Sequence, residues 1–228
     1  MINNLKVLAI TLARGGSKRI HKKNISQIKN RPLIYYTFKE VKKSKYIDTY
    51  IVSSDCPDIV DVCKKYNVSY HIRSSELSKD TTTSAAAIID VVERYRDYDI
   101  VVEIMATNPL KTVDDIDGVL EKLIQTSADS VVSVVRIWDH HPSRVKYIVD
   151  DRMLDFYPEV SESRRQDLTP AAYVRNGSIY AMTTFSLLKT TRRLGENTRP
   201  YIMPQCRSIN IDEPIDLELA KILIKEDA

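Results

Sequence analysis

Lys6-Val7-Leu8-Ala9-Ile10-Thr11-Leu12-Ala13-Arg14-Gly15-Gly16-Ser17-Lys18-Arg19-Ile20-His21-Lys22-Lys23-Asn24 is the stretch that decides the fold. Its first half is an apolar run of strand length, and its second half passes at once into glycine and positive charge. Five cations fall within ten residues, 14 to 23, and two of the chain's five glycines are here. Adjacent glycines let the backbone take positive φ and bring N–H groups close to a ligand, while the cations supply the countercharge that a polyphosphate needs. Such a loop gains no apolar burial and repels itself, so a bound anion is expected to offset it. A merely solvated basic loop would not need a Gly-Gly pair at the carboxyl end of a strand, where open α/β sheets bind ligands. The spacings G-x-x-x-x-G-K-[ST] and G-x-G-x-x-G are both absent, which excludes a P-loop NTPase and a dinucleotide fold as leading readings.

Outward from this stretch, strand-like and helical runs alternate. Strands are expected at 5–12, 48–53, 68–72, 99–104 and 129–135, with helices near 32–44, 57–66, 83–97 and 113–125. Alternation of this kind implies right-handed crossovers and a doubly wound, mostly parallel α/β sheet. Asp55 ahead of Cys56-Pro57 and Thr112 ahead of Val113-Asp114-Asp115 read as helix N-caps. Alternation lapses over 137–169, a polar surface excursion on a single 1–228 domain. It resumes at 176–182 and 207–211, and an amphipathic helix follows from about Pro214 to Lys225.

Net charge is +3, with three Phe and one Trp against 13 Tyr, so no aromatic-basic array for nucleic acid is present. No apolar run of spanning length and no secretory leader is evident, and Cys56, Cys63 and Cys206 lack metal or disulfide spacing. A cytoplasmic protein with reduced thiols and no membrane partner is expected. His140-His141 lacks the spacing of a metal site.

The twelve-residue string A-R-G-G-S-K-R-I-H-K-K-N, followed by Arg31-Pro32-Leu33-Ile34, resembles the signature of the acylneuraminate cytidylyltransferase family, enzymes that activate sialic acid and related nine-carbon keto sugar acids with CTP. The resemblance covers nearly the whole chain. It implies a Rossmann-like nucleotidyltransferase fold, CTP and a keto sugar acid as partners, Mg²⁺ as cofactor, and a homodimer in which the 137–169 arm crosses to the second subunit.

Five groups of residues follow. Arg14, Lys18 and Lys23 are placed on the triphosphate beside Ala13 and the Gly15 and Gly16 amides, with Lys23 on the pyrophosphate side. Asn24 is assigned to the nucleotide by resemblance. Asp80 and the four hydroxyls Thr81 to Ser84 exceed what helix capping needs, and the resemblance puts Arg73, Thr82 and Ser84 at the cytosine. Met105 stands where the family has a Gln that contacts the acceptor. A thioether cannot replace that amide's hydrogen bonds, so an acceptor other than plain sialic acid is expected. In Asn210-Ile211-Asp212, read as strand, 210 and 212 share a side and could face one cation. The family pattern is Asp-x-Asp, so Asp212 is the expected metal ligand and Asn210 offers only a carbonyl or a water-mediated contact. Asp216 could equally serve the helix start. Finally, R-R-Q-D-L and Y-V-R-N-G-S-I-Y resemble the acceptor segment, implying that Arg165, Arg175 and Asn176 hold the sugar's carboxylate and polar groups and Tyr180 borders its acyl group.

The expected reaction is nucleotidyl transfer from CTP to the anomeric hydroxyl of a sialic, legionaminic or pseudaminic type acid, with Arg14, Lys23 and Asp212 as the catalytic residues. A non-catalytic nucleotide-binding module of the same fold, and a sugar nucleotidyltransferase with another nucleotide or acceptor, are the alternatives. Activation of an eight-carbon acid is disfavoured because the loop R-x-x-S-x-R-L-P-G-K-P is missing.

Overall fold

A computed structural model of the chain describes residues 1–158 and 164–225. In chain order the strands are β1 (Val7–Leu12), β2 (Gln27–Ile28), β3 (Arg31–Pro32), β4 (Thr49–Ser54), β5 (Ser69–Ile72), β6 (Ile100–Ile104), β7 (Ser130–Ile137), β8 (Lys146–Val149), β9 (Arg152–Asp155), β10 (Ala172–Thr183) and β11 (Thr198–Ile202). The helices are α1 (Leu33–Val41), α2 (Pro57–Lys65), α3 (Ser84–Arg94), α4 (Val113–Gln125), α5 (Thr184–Thr190) and α6 (Pro214–Leu223).

Seven strands form one sheet in the order β11-β7-β10-β6-β1-β4-β5, parallel throughout except for β10, which runs antiparallel to both neighbours. The mostly parallel, doubly wound sheet expected from alternation is the observed one. β1 is apolar at successive positions because both of its faces are covered. Val7 and Ala9 pack with Ile116, Val119 and Leu120 of α4 on one side. Leu8 and Ile10 pack with Ile88 and Val91 of α3 on the other, each such Ile or Val contributing ~1.5–3 kcal/mol. Thr112 caps α4 in a reciprocal box with Asp115.

The chain leaves β1 for β4 and β5 on one side and then crosses through α3 to β6 on the other. The resulting crevice at the carboxyl ends of β1 and β6 is where ligands bind in such sheets. Because β10 runs the opposite way, its amino-terminal half lies at that same end.

Several sequence expectations change. Residues 207–211 are not a strand: a 3₁₀ turn at Gln205–Arg207 is followed by irregular backbone held by Ile211 N–H to Thr107 O at 2.8 Å. The N-cap of α2 is Cys56, not Asp55, and the Asp55 carboxylate accepts instead from Gly15 N–H at 2.9 Å. Gly15 and Gly16 do not adopt positive φ; the left-handed residue of the loop is Lys22. Gly15 is required by space, since a Cβ there would stand 2.8 Å from Cys56 Cβ, whereas nothing lies within 4 Å of one built on Gly16. β11 and α5 were not anticipated. Pro200 argues against a strand and is tolerated because β11 is an edge, and α5 has only seven residues. In the expected excursion 137–169, β8 and β9 form a separate hairpin, and residues 159–163 lie outside the described ones.

Candidate active site

Three cavities bear on the site, and the first two share lining residues. The first, about 340 Å³, is lined by Arg14, Lys18, Arg19, Lys23, Asn24 and Asp212 among others. Every cation of the loop reaches an acid on another element. Arg14 and Lys18 share Asp80 at 2.5 Å, Arg19 meets Glu213 at 2.9 Å, Lys22 meets Asp58 at 2.5 Å, and Lys23 meets Asp212 at 3.0 Å. Hydrogen bonds from Lys18 and Arg14 hold the Asp80 carboxyl below its usual range. These contacts are largely solvent-facing, so each is weak and exchangeable for a phosphate oxygen. Lys23 differs. Its side chain is 17% exposed, and Nζ also donates to Ile211 O at 2.7 Å, tying the loop to the segment before α6. Buried Asn24 donates to Arg14 O at 3.1 Å and closes the loop.

The second cavity, about 280 Å³, adjoins the first through Leu12 and Arg14. Arg73, Thr82, Ser84, Met105 and Glu103 line it. Arg73 is 6% exposed; its nearest acid, Asp55, is 3.9 Å away, and its Nε and Nη2 have no hydrogen-bond partner. Burial pulls this guanidinium below its ordinary pKa. A buried charge with unsatisfied donors is expensive unless a ligand supplies acceptors. Thr83 caps α3 by accepting from Ala86 N–H, and the Thr82 hydroxyl donates to Glu76 O, so two of the four hydroxyls serve the local fold.

Met105, expected with the acceptor, lines this second cavity rather than the third. The loop it begins is pinned by Lys111, which sequence reasoning passed over. Buried Nζ donates to Thr37 Oγ1, Met105 O and Asn108 O at 2.9, 2.7 and 2.5 Å. Burial pulls Lys111 down to about 7, while three acceptors for three N–H groups favour the ammonium form.

The third cavity, about 360 Å³, is lined by Arg175, Asn176, Gly177, Tyr180, Arg193 and Asn210 among others. A register shift in β10 between Arg175 and Tyr180, with Gly177 at φ +63°, turns Asn176 inward. The Asn176 amide is fully engaged. Its Oδ1 accepts from Ser133 Oγ at 2.7 Å, and Nδ2 donates to Ser208 Oγ at 2.9 Å and Met203 Sδ at 3.1 Å. Arg165 does not join this cavity; it lies 5.1 Å over the Trp138 ring and 3.6 Å from Asp139.

Among the described residues no group of three His, Cys, Asp or Glu could hold a metal ion. A hard cation needs only one or two carboxylates when phosphates and water complete its shell, and Asp212 at the edge of the first cavity fits that role. Asn210 does not offer it a carbonyl. Its Nδ2 donates to Asp212 Oδ2 at 2.5 Å, and its Oδ1 is buried without a partner. Asp216 accepts from the Asp212 and Glu213 N–H groups and caps α6.

The chain has named relatives along nearly its whole length. It is 32% identical to a pseudaminic acid cytidylyltransferase of Campylobacter jejuni over 227 residues, 97% of each protein. It is 30% identical to the CMP-N,N'-diacetyllegionaminic acid synthase of Legionella pneumophila, again covering 97% of both. Against the N-acylneuraminate cytidylyltransferase of Escherichia coli it is 29% identical and spans 51% of that longer protein. The solved structure of a CMP:2-keto-3-deoxy-manno-octonic acid synthetase complexed with CTP shares the fold, with a TM-score of 0.75 over 96% of this chain and 98% of that one at 18% identity. The cytidylyltransferase family model matches residues 8–225, and with these relatives it establishes that the chain belongs to the cytidylyltransferase family.

Proposed function

We propose that the chain transfers a cytidylyl group from CTP to the anomeric hydroxyl of a nine-carbon 2-keto sugar acid and releases pyrophosphate. The observation that carries this reading is Arg73. It lines the 280 Å³ cavity that abuts the cation-lined one, and two of its buried guanidinium nitrogens have no hydrogen-bond partner. Pyrimidine carbonyl and ring nitrogen acceptors would satisfy a guanidinium placed there. The triphosphate then reaches Arg14, Lys18 and Lys23, displacing Asp80, and the third cavity receives the sugar acid. Its hydroxyl attacks the α-phosphorus in line with the leaving pyrophosphate, whose growing charge Lys23 and Arg14 neutralise. Holding both reactants in register contributes up to ~7–11 kcal/mol to such a step.

Mg²⁺ is part of the proposal. Asp212 would hold it, and it would supply charge neutralisation on the phosphates. The dimer is proposed from the β8–β9 hairpin, which exposes Ile148 at 75% and Met153 at 72%, a pair of strands with too little cover to stand alone. Three free cysteines support a reducing, cytoplasmic location.

Pyrophosphate release with CTP is to be measured across pseudaminic, legionaminic, sialic and eight-carbon acids, with UTP, ATP and GTP as controls. Turnover with a nine-carbon acid and CTP alone is the expected result. CTP binding without turnover on any acceptor would favour a non-catalytic module, the reading to which Asn210's donor facing Asp212 lends support.

A further inference from the structure

The third cavity contains a guanidinium that sequence reasoning missed. Arg193 follows α5, far in sequence from the motifs around Arg175, and its Nη1 donates to Glu103 Oε2 at 2.6 Å. Its Cζ stands 4.2 Å from the centre of the Tyr180 ring, so Tyr180 presents a face already covered by the cation. Glu103 sits in the middle of β6 with no exposed surface, directly opposite Tyr180 in the β10 register. An acid is foreign to that position. Its neighbours Val102 and Ile104 are core residues, and Glu103 Oε1 has no hydrogen-bond partner.

Glu103 lines the second cavity and Arg193 the third, so their ion pair forms part of the wall between nucleotide and acceptor spaces. A guanidinium is a rigid planar fork of five N–H donors. One edge is fixed by Glu103 and one face by Tyr180, which orients the remaining donors without any help from solvent. Of the residues lining the third cavity, two are arginines and none is an acid. With Glu103 lining the second cavity instead, this lining suits an anionic group. Arg175 is exposed, whereas the Arg193 side chain is 23% exposed and preorganised.

We infer that Arg193 is the residue that fixes the carboxylate of the acceptor sugar acid, and that Glu103 is a positioning residue acting through it. The inference rests on the reading of the site as a cytidylyltransferase site. It differs from the expectation that Arg165, Arg175 and Asn176 hold that carboxylate, since Arg165 lies elsewhere and the Asn176 amide is already engaged.

The test compares wild type, Arg193→Lys and Glu103→Gln as full-length chains, with pseudaminic acid and its neutral C1 amide as paired acceptors. Arg193→Lys keeps the charge that compensates Glu103 but loses the fork, and Glu103→Gln keeps a hydrogen bond but loosens it. Arg193→Lys should raise the acceptor KM ~10–100-fold while the CTP KM stays within about twofold, as expected for losing a bidentate charge-assisted contact. Wild type should prefer acid over amide, and Arg193→Lys should lose most of that preference. Glu103→Gln should show the same pattern more weakly. Acceptor and CTP KM rising together, or an unchanged acid-to-amide ratio in both variants, would overturn the assignment in favour of a purely structural pair. Where wild type shows no turnover at all, the functional reading fails, and calorimetric titration of pseudaminic acid into the CTP-bound proteins decides this inference separately. Binding weakened by Arg193→Lys supports it, and binding that is absent or unaffected overturns it.

Discussion

The two halves of the crevice hold positive charge in opposite ways. On the nucleotide side the cations are mostly exposed, and their partners Asp80, Glu213, Asp58 and Asp212 are themselves half in water. On the acceptor side Arg193 is matched with Glu103, an acid with no exposed surface. Exposed pairs are worth little and can be traded for phosphate oxygens; a buried pair cannot lose one member without stranding the other. A loop that must receive and release a polyanion is built from the first kind of contact. On the proposed function, a wall that orients an attacking sugar needs the second.

Lys23 tests the boundary of this contrast, being the loop cation with a buried stem. Lys23→Ala should lower pyrophosphate release by ~10³-fold while CTP still binds, the scale of losing one preorganised charge contact to the transition state. A loss no larger than that of Lys18→Ala would place Lys23 with the exchangeable cations.

The buried pair should break hardest when split. Arg193→Leu alone should cost ~3–5 kcal/mol in denaturant unfolding, whereas Glu103→Leu with Arg193→Leu should recover most of that stability. Equal effects of the single and double changes would remove the distinction drawn between the two halves.

Lys111 extends the buried class to the loop beneath both cavities. Lys111→Met leaves the acceptors of Thr37, Met105 and Asn108 without their donor and should cost ~2–4 kcal/mol. Its pH dependence has a definite sign. Where burial outweighs the three acceptors, the folded amine is pulled down to about 7 against about 10.4 unfolded, and between those values the unfolded chain binds more protons. Wild-type stability should therefore rise with pH across that window relative to Lys111→Met. A flat difference would show that the three acceptors keep the ammonium charged throughout.

Within the phosphate loop the two glycines should separate. Gly15→Ala meets Cys56 at 2.8 Å and should cost ~1–3 kcal/mol, whereas Gly16→Ala, with nothing within 4 Å, should be near neutral in melting temperature. The smallest effect is expected at Asp80. Asp80→Ala should leave the melting temperature unmoved and tighten CTP binding about two- to fivefold at low salt, a gain that shrinks as salt screens the loop. Weaker binding would mean that Asp80 holds Arg14 and Lys18 in place for the triphosphate instead of competing with it.

Much of the molecule was legible because it is written locally. The apolar run that became β1 and the alternation through residue 135 set most of the sheet, Thr112 with the acids after it announced α4, and the cations from Arg14 to Lys23 line the cavity beside β1. What could not be read has a common cause. Gly15 answers to Cys56, Lys111 to carbonyls of its own loop and to Thr37, and Arg193 to Glu103, ninety positions away. Each depends on which side chains the crossovers bring face to face.

The sequence by itself therefore determined the alternating strands and helices of the first 135 residues and the dense positive charge after β1, because periodicity, capping and charge density act over a few residues, while the chemical class was legible from the family-like string that follows β1. Only the tertiary structure decided that Asn210 turns a donor to Asp212, that Asn176 is held by Ser133 and Ser208, that Arg165 stands apart, and that a buried acid on β6 carries the acceptor cavity's second guanidinium. Hydrogen bonding and charge burial are settled by distance and direction in space, and folding sets both, whether the partners are two positions apart, as Asn210 and Asp212 are, or ninety, as Glu103 and Arg193 are.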